Sequence, residues 1–590
     1  MLLKKPIIAV STVGLLALAA CGGSNSGAPS GAPSAGNTSG NSNGGAGAGQ
    51  DPTLQPPAAP IPGAKTGGTV YVDRYGGTET FDPTESYYVD TASILENLVT
   101  RSLTQYIYKN GDMVLVPDLA TNLGTHNKDF TSWTFTIRKG VKFEDGTLVT
   151  PADIKYGIER SFDRVTFPTG ANYSNQYFLD GDKYNGPYKS GTNYNGVVIK
   201  GQNLTIKMAK PFPDMPYWGS FPAMGPIPPG KASDPATYKL HPLASGPYMF
   251  KPGSYTPAKA LTLVKNPYWS AKTDPGRHQY VNQWVFNFNQ DSSKTDAIIL
   301  KSQGAGATTV SYDNVLSSDY LNFQNQAPNQ LTLGTSPCTY MWYPDYRKIT
   351  NITVRRAIGW AYPYKSAWNS GGSIEGVTRI PASNIMPPGI PKRSAYNPLP
   401  GHTPASTDAA KAKALLKSVN ALGYKIIFPY EKDVSTSVAV KDQIVTALTA
   451  AGFTVVPYAT TSANYYTVLS DPKAPINVRS VGWCSDWPTG GSWFPPVFQT
   501  VDIAKQGSLG SNYAAFSEPS VDKQISKIQS MPLAQQSAAW NALDKYIQTK
   551  YYPVVVTGYG GDAMPHGSMI HGMNNDATLA MPTWRDMWVG

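Results

Sequence analysis

The chain has 590 residues, with 49 Lys and Arg against 39 Asp and Glu, a formal charge of +10. Only 15% of residues are charged, so this surplus is diluted over a large surface, and no zinc-finger spacing, arginine cluster or aromatic RNA-binding pattern accompanies it; a nucleic-acid partner is excluded. Beyond the first 21 residues no run of 18 apolar residues occurs, which excludes a spanning helix in the body of the chain.

The first segment, MLLKKPIIAVSTVGLLALAAC, has a basic start at Lys4 and Lys5, an uncharged apolar run from Ile7 to Ala20, and small residues leading into Cys21. At about 14 apolar residues it reads as a secretory signal rather than a span. Its LAAC ending resembles a lipobox, in which Cys21 becomes the lipidated first residue of the mature protein; the plainer alternative is a cysteine that follows an apolar leader. Residues 22–66 are almost entirely Gly, Ser, Ala, Pro, Asn and Thr, a composition that predicts a flexible tether. Signal and lipidated Cys21 in 1–21, then tether, place the body on the extracytoplasmic face of a membrane, lipid-anchored. About 525 residues remain, enough for two or three cores.

The folded part begins at GGTVYVDRYG, a short strand, followed by the turn-like FDPTES. Residues 87–104 carry Leu95, Leu98, Val99 and Ser102 at helical spacing. WTFTIRKGVKFEDG reads as a strand entering a D-G turn, and TPADIKYGIERSF as a helix capped by Thr150, with Pro151 in its first turn and Asp153 near its positive end. Short strands such as VVIKGQNLTIKM and VNQWVFNF follow. After residue 335 an α/β rhythm starts: a helix over 407–422 ended by Gly423, the strand KIIF, a helix over 438–451 stopped by Gly452, and FTVVPY. The last 70 residues hold a helix, PLAQQSAAWNALDKYIQT, and a strand, YYPVVVTGY, without an independent core.

The search for chemistry is mostly negative. There is no G-x-S-x-G elbow, no S-x-x-K set, no H-E-x-x-H and no Gly-rich phosphate loop with its lysine. His566 and His571, five apart, read as surface or turn histidines rather than a metal pair. Neither a catalytic set nor a metal or cofactor site is assigned, and a surface hydrolase lacks the acid, base or nucleophile it needs. If Cys21 carries lipid, Cys338 and Cys484 remain as an even pair, either bridged or two separate thiols. A bridge would close a loop of 146 residues and bring TSPCTYMWY beside VGWCSDWP. That would set Tyr340, Trp342 or Tyr343 near Trp483, Asp486 and Trp487. An aromatic enclosure with one carboxylate suits a cationic group such as a peptide ammonium; the alternative is a core with a capped aspartate.

An ordered series of motifs then resembles the solute-binding proteins of ABC importers, in the peptide, oligopeptide and nickel-binding family. VKFEDGTLVTPADIKYGIER at 141–160 is similar to its signature. ASGPYMF at 244–250, KNPYWS at 265–270 and VRRAIGWAYPY at 354–364 are similar to further pieces, so the resemblance covers about residue 67 to 590. It implies an α/β, two-lobed periplasmic-binding-protein-like fold with three domains, a discontinuous first domain and a hinge between lobes. The divisions expected are 67–104, 201–335 and 511–590 for the first domain, 105–200 for the second and 336–510 for the third. The second-lobe stretches resemble the oligopeptide-binding branch, which implies a Cys338–Cys484 bridge, Asp486 as acceptor of the peptide amino terminus, and Trp483, Trp487, Tyr340 and Trp342 as further ligand-binding residues. Three departures are visible. WPTGGSWF follows Asp486 in place of an acidic or Asn-rich continuation, Pro363 interrupts the AYPYK helix end, and Arg479 is offset by one residue from a basic position that meets ligand carboxylates in some relatives. The implied function is a monomeric, non-enzymatic receptor without cofactor that delivers short peptides to ABC permease subunits with cytoplasmic ATPases. An oligosaccharide, dipeptide or metal complex is the nearest alternative ligand, and a peptide-sensing surface lipoprotein the alternative of another class.

Overall fold

The computed structural model describes residues 49–78 and 80–590. The leader, Cys21 and residues 22–48 of the expected tether lie outside the described residues. Among the described residues, no helix is long and apolar enough to cross a membrane.

Alternating burial along Thr69–Asp73 puts Val70 and Val72 into a core, and this strand lies at the heart of a five-stranded sheet. It pairs in parallel with Gln283–Asn287 and Thr309–Ser311, and Ala260–Lys265 and Tyr248–Phe250 extend the sheet antiparallel. Against it pack Leu95, Leu98 and Val99, from the helix Val89–Ile94 and the wider turn Leu95–Val99 that continues it, and Trp584 from the chain's end. This sheet and its core, called the first domain below, are assembled from pieces far apart in the chain.

The second domain is built on Ser132–Thr136, flanked by Thr125–His126 and by Asn203–Lys207, which in turn pairs with Val197–Lys200. Its helix Pro151–Arg160 starts as the sequence predicts. The Thr150 hydroxyl accepts from the Asp153 amide while the Asp153 carboxylate accepts from the Thr150 amide, and Pro151 gives up no bond. The expected boundary at residue 200 is too early. The hairpin through Gly201 returns Asn203–Lys207 to the sheet, and Phe212, Met215, Trp218 and Met224 fill the same core, so the domain continues past residue 224.

The third domain centres on the 14-residue strand Leu331–Pro344, between Val478–Cys484 and Val555–Pro565, with Arg379–Ile380 at the edge. One core on its flank takes Trp342, Ile358, Phe428 and Leu448 from the predicted helix–strand units; the other takes Met341, Tyr343, Phe494 and Trp540. Lys425–Glu431 and Thr454–Thr460 pair in parallel, joined by the helix Ser435–Ala450. The helix Ile352–Ala361 stops just short of Pro363, whose ring cannot continue it. The expected return of 511–590 to the first domain is corrected in part. Pro519–Gln529, Leu533–Lys550 and Val555–Pro565 stay with the third domain because their apolar faces complete its second core. The chain rejoins the first domain only where His566 bridges to Val310.

The tether expectation also changes. Gly49 accepts from the Leu115 amide (2.7 Å), Asp51 donates its amide to the Leu115 carbonyl (2.9 Å), and Ala58 donates to Asp274 (3.0 Å). A proline-rich stretch keeps its backbone groups free for such partners, so residues 49–58 lie along the body.

First and second domains are joined by a fully buried charge cluster. Asp118 pairs with Arg101 (2.7 Å) and Arg277 (2.8 Å), and Asp274 pairs with Arg277 (3.3 Å). Burial alone would raise Asp274; the guanidinium groups of Arg101 and Arg277 outweigh it and hold the carboxyl well below the usual range. Asp118→Asn keeps the shape but leaves two buried cations short of a counter-charge. It is expected to cost about 3–5 kcal/mol in chemical denaturation, and a loss below about 1 kcal/mol would contradict this role.

Candidate functional site

Leu331–Pro344 and Val478–Cys484 run antiparallel with Cys338 opposite Cys484, Tyr340 opposite Gly482 and Trp342 opposite Ser480. The two cysteines form a disulfide with an S–S distance of 1.97 Å. The bridge joins the two motifs, but side chains alternate along a strand, and this alternation breaks up the expected aromatic enclosure. Cys338, Tyr340 and Trp342 share one face with Cys484. Trp483 lies across from Thr339 and packs against the opposite core, beside Met341 and Tyr343. Trp342 is 1% exposed in the first of the two third-domain cores, its ring 5.1 Å from that of Tyr362, so it is a core residue and not a pocket wall. Tyr340 is partly buried beneath the Arg379 guanidinium, 3.4 Å from the ring centroid. Trp483 is partly buried, and its indole N–H donates to the Ser492 carbonyl at 2.9 Å.

Two residues beyond the bridge, Asp486 stands where all three domains meet. Tyr87 of the first domain donates its hydroxyl to Oδ1 (2.7 Å), and Tyr173 of the second domain donates to Oδ2. Tyr87 lies two residues before the helix Val89–Ile94, and Tyr173 opens the short helix Tyr173–Tyr177, so both hydroxyls come from anchored positions. Burial pushes Asp486 up to about 6, against the pull of the two donors. Burial, with the neighbouring carboxylate adding to it, raises both tyrosines well above their ordinary value. The site is a carboxylate held by neutral donors, and among the described residues no cation pairs with it.

Trp487, expected in the pocket, is instead a plug. It is 1% exposed and sits in the second domain's core, its ring 4.7 Å from Tyr173, with Phe212 and Phe221 edge-on. Its indole N–H donates to Thr489 Oγ1 (3.0 Å), and that hydroxyl meets Asp214 (3.3 Å), which burial raises to about 7. A proline and small residues after Trp487, the stretch that departs from the family pattern, let this loop enter the second domain.

Sequence reasoning missed Tyr87 and Tyr173, which lie 399 and 313 positions from Asp486. The chain has 36 tyrosines and no spacing marks these two. Arg479 is withdrawn from any ligand: it is fully buried, with Nη1 on Asp345 (3.0 Å) and Nε on the Leu469 carbonyl (2.8 Å). In the D-G turn read from the sequence, Glu144 accepts from the Ala244 amide (3.0 Å) and meets His241 (2.5 Å), and Asp145 accepts from the Thr147 amide (3.0 Å), so both carboxylates serve the turn. His566 and His571 bond to backbone carbonyls, and no cluster of three metal-ligating side chains occurs among the described residues.

Domains that meet at one carboxylate, with a loop of the third plugged into the second, form a multi-domain α/β architecture of the periplasmic-binding-protein kind. The chain belongs to the bacterial extracellular solute-binding proteins, family 5, whose profile matches residues 114–505. It is a solute-binding protein and not an enzyme. The periplasmic oligopeptide-binding protein OppA of Salmonella typhimurium is 25% identical over 270 residues, 44% of this chain and 47% of that protein. OppA of Escherichia coli is 25% identical over 293 residues, 48% of each. These matches span about half the length of the relatives. Among solved structures, clavulanic acid biosynthesis oligopeptide binding protein 2 superposes with a TM-score of 0.81 at 20% identity, covering 92% of this chain and 99% of that one. AgaA of A. tumefaciens R10, solved with agropinic acid, superposes with a TM-score of 0.65 at 17% identity, covering 89% and 99%. Both show the shared fold.

Replacing the plug tests its mechanical role. Trp487→Ala is expected to cost about 3–5 kcal/mol and to loosen the third domain from the second. Small-angle scattering of the ligand-free variant should show a larger radius of gyration than the parent.

Proposed function

We propose that this protein is an extracytoplasmic receptor that captures an oligopeptide and delivers it to an ABC permease whose ATPases drive import. The observation that carries this reading is Asp486: a half-buried carboxylate at the junction of three domains, met among the described residues by the neutral hydroxyls of Tyr87 and Tyr173. A peptide ammonium supplies the missing charge and a charge-assisted bond, while the flanking tyrosines orient it. The names of the half-length relatives support the peptide as ligand. Ligand contacts to more than one domain favour the closed arrangement and so shift the population of open and closed lobes. Lipidation of Cys21 would hold the receptor at the outer face of the membrane, and detergent partitioning of the Cys21→Ser variant tests that anchor.

AgaA carries a non-peptide ligand on the same fold, so a different solute is the second reading. A fixed carboxylate favours an amine-bearing ligand over a neutral saccharide.

The pH dependence follows from Asp486. Its folded value, about 6, lies above the ordinary 3.8, so the ligand-free arrangement around it is most stable at low pH and loses that contribution as pH rises through about 6. A bound ammonium needs the ionised form, so affinity should rise over that same window. Isothermal titration with a short-peptide library should show tighter binding at pH 7 than at pH 5. Asp486→Asn should remove this dependence and weaken binding about tenfold or more, while amino-terminal acetylation of the peptide does the same to the parent. Equal binding of free and acetylated peptides would sink the assignment.

A further inference from the structure

The loop WPTGGSW, residues 487–493, departs from the family pattern, and burial of Trp487 accounts only for its first residue. Two positions on, Thr489 Oγ1 accepts from the Trp487 indole N–H (3.0 Å) and from the Gly491 amide (3.1 Å). A hydroxyl offers two lone pairs and one proton. With both pairs engaged, the proton is left for Asp214 of the second domain, whose Oδ1 and Oδ2 each lie 3.3 Å away. Asp214 stands immediately before the helix Met215–Trp218, where an aspartate ordinarily accepts from the helix's own amides, yet its side chain makes no such cap. The carboxylate is turned from its own helix toward the third domain.

The turn after Thr489 is shaped to admit that carboxylate. A Cβ on Gly491 would collide with Asp214 Oδ2, and one on Gly490 with the Trp540 ring of the third domain's core, so two glycines let the chain pass between them. A second hydrogen bond crosses the same boundary: Gln529, the last residue of the helix Pro519–Gln529, donates its side-chain amide to the Tyr177 hydroxyl (3.1 Å). The Tyr177 ring stacks at 4.1 Å on Phe212, two residues before Asp214, and Leu533 packs against the same core. Asp214 and Thr489 are 5% and 6% exposed, so in this arrangement they touch protein rather than solute.

Resting on the receptor reading, we infer that Asp214 and Thr489 are positioning residues: a latch between the second and third domains that sets the share of molecules closed before any ligand arrives. Apolar docking of Trp487 holds the domains together without fixing their angle, whereas a hydroxyl with one proton left to give is satisfied in a single seat. Seating Thr489 also seats Asp486, three residues earlier on the same loop, between Tyr87 and Tyr173. A ligand that binds the closed arrangement then gains or loses apparent affinity in proportion to the closed fraction, whatever its chemistry. The latch therefore scales affinity for all ligands by one factor, where Asp486 discriminates among them.

The test compares Thr489→Val, Thr489→Ser and Asp214→Ala with the parent, in titrations with tetraalanine and its amino-terminally acetylated form. Circular dichroism and melting establish that the variants fold. Thr489→Val is expected to weaken both peptides about tenfold and leave their ratio as in the parent, and Thr489→Ser to recover most of the loss. Asp214→Ala added to Thr489→Val should cost no more than about a further twofold, because the pair acts as a unit. An unchanged affinity in Thr489→Val, a Thr489→Ser variant as weak as Thr489→Val, or losses that multiply in the double variant overturns the inference. The ligand-free protein is read separately, by pulsed electron spin resonance distances between labels at the exposed positions Lys183→Cys and Lys527→Cys, in the second and third domains of a Cys21→Ser background. The parent should give one dominant distance and Thr489→Val a second, longer population; identical distributions refute the latch. If neither peptide binds the parent, the peptide reading fails, while these distances still decide the latch.

Discussion

The antiparallel register that sets Cys338 opposite Cys484 governs the rest of the third domain. It fixes which side chains of Leu331–Pro344 enter each of two cores, because a slip of one residue would exchange the faces. Trp342 enters one core, and Met341 and Tyr343 the other. Tyr340, at the rim, remains available to receive Arg379. The same register delivers the chain beyond Cys484 to the junction with the other domains, so Asp486 and Trp487 are placed by strand pairing and covalent closure together. A disulfide that closes a loop of 146 residues limits the unfolded chain as well as holding the folded one.

Asp486 and Trp487 are neighbours with opposite duties. The indole is spent on the second domain's core, where its burial ties the lobes together. The carboxylate is left at the surface of that contact, where it is partly shielded and, among the described residues, is met by two tyrosine hydroxyls. Apolar docking thus positions a charge that docking alone cannot satisfy. In the proposed receptor this imbalance couples ligand charge to lobe closure: a cationic group stabilises the closed arrangement more than the open one, which is what a population shift requires.

Local signals were sufficient for much of this. The capping pair of Thr150 and Asp153, the stop before Pro363 and the alternation in VYV depend on near neighbours, and each is legible in a few residues. The ordered motifs carried the fold class and pointed to Asp486, and the count of cysteines left Cys338 and Cys484 as a pair. Other features depend on which distant segments share a surface. The sequence does not mark Tyr87 and Tyr173 among 36 tyrosines, the second domain's extension past residue 224, or the allegiance of Val555–Pro565 to the third sheet. The proximity of four aromatic residues to one carboxylate suggested a shared pocket, yet strand alternation sent Trp342 and Trp483 to opposite faces and docking buried Trp487 elsewhere. Residue type and spacing therefore determined the elements and the charge at the centre of the site; only tertiary packing decided which groups face that charge, because burial and pairing are set by surfaces hundreds of residues apart in the chain.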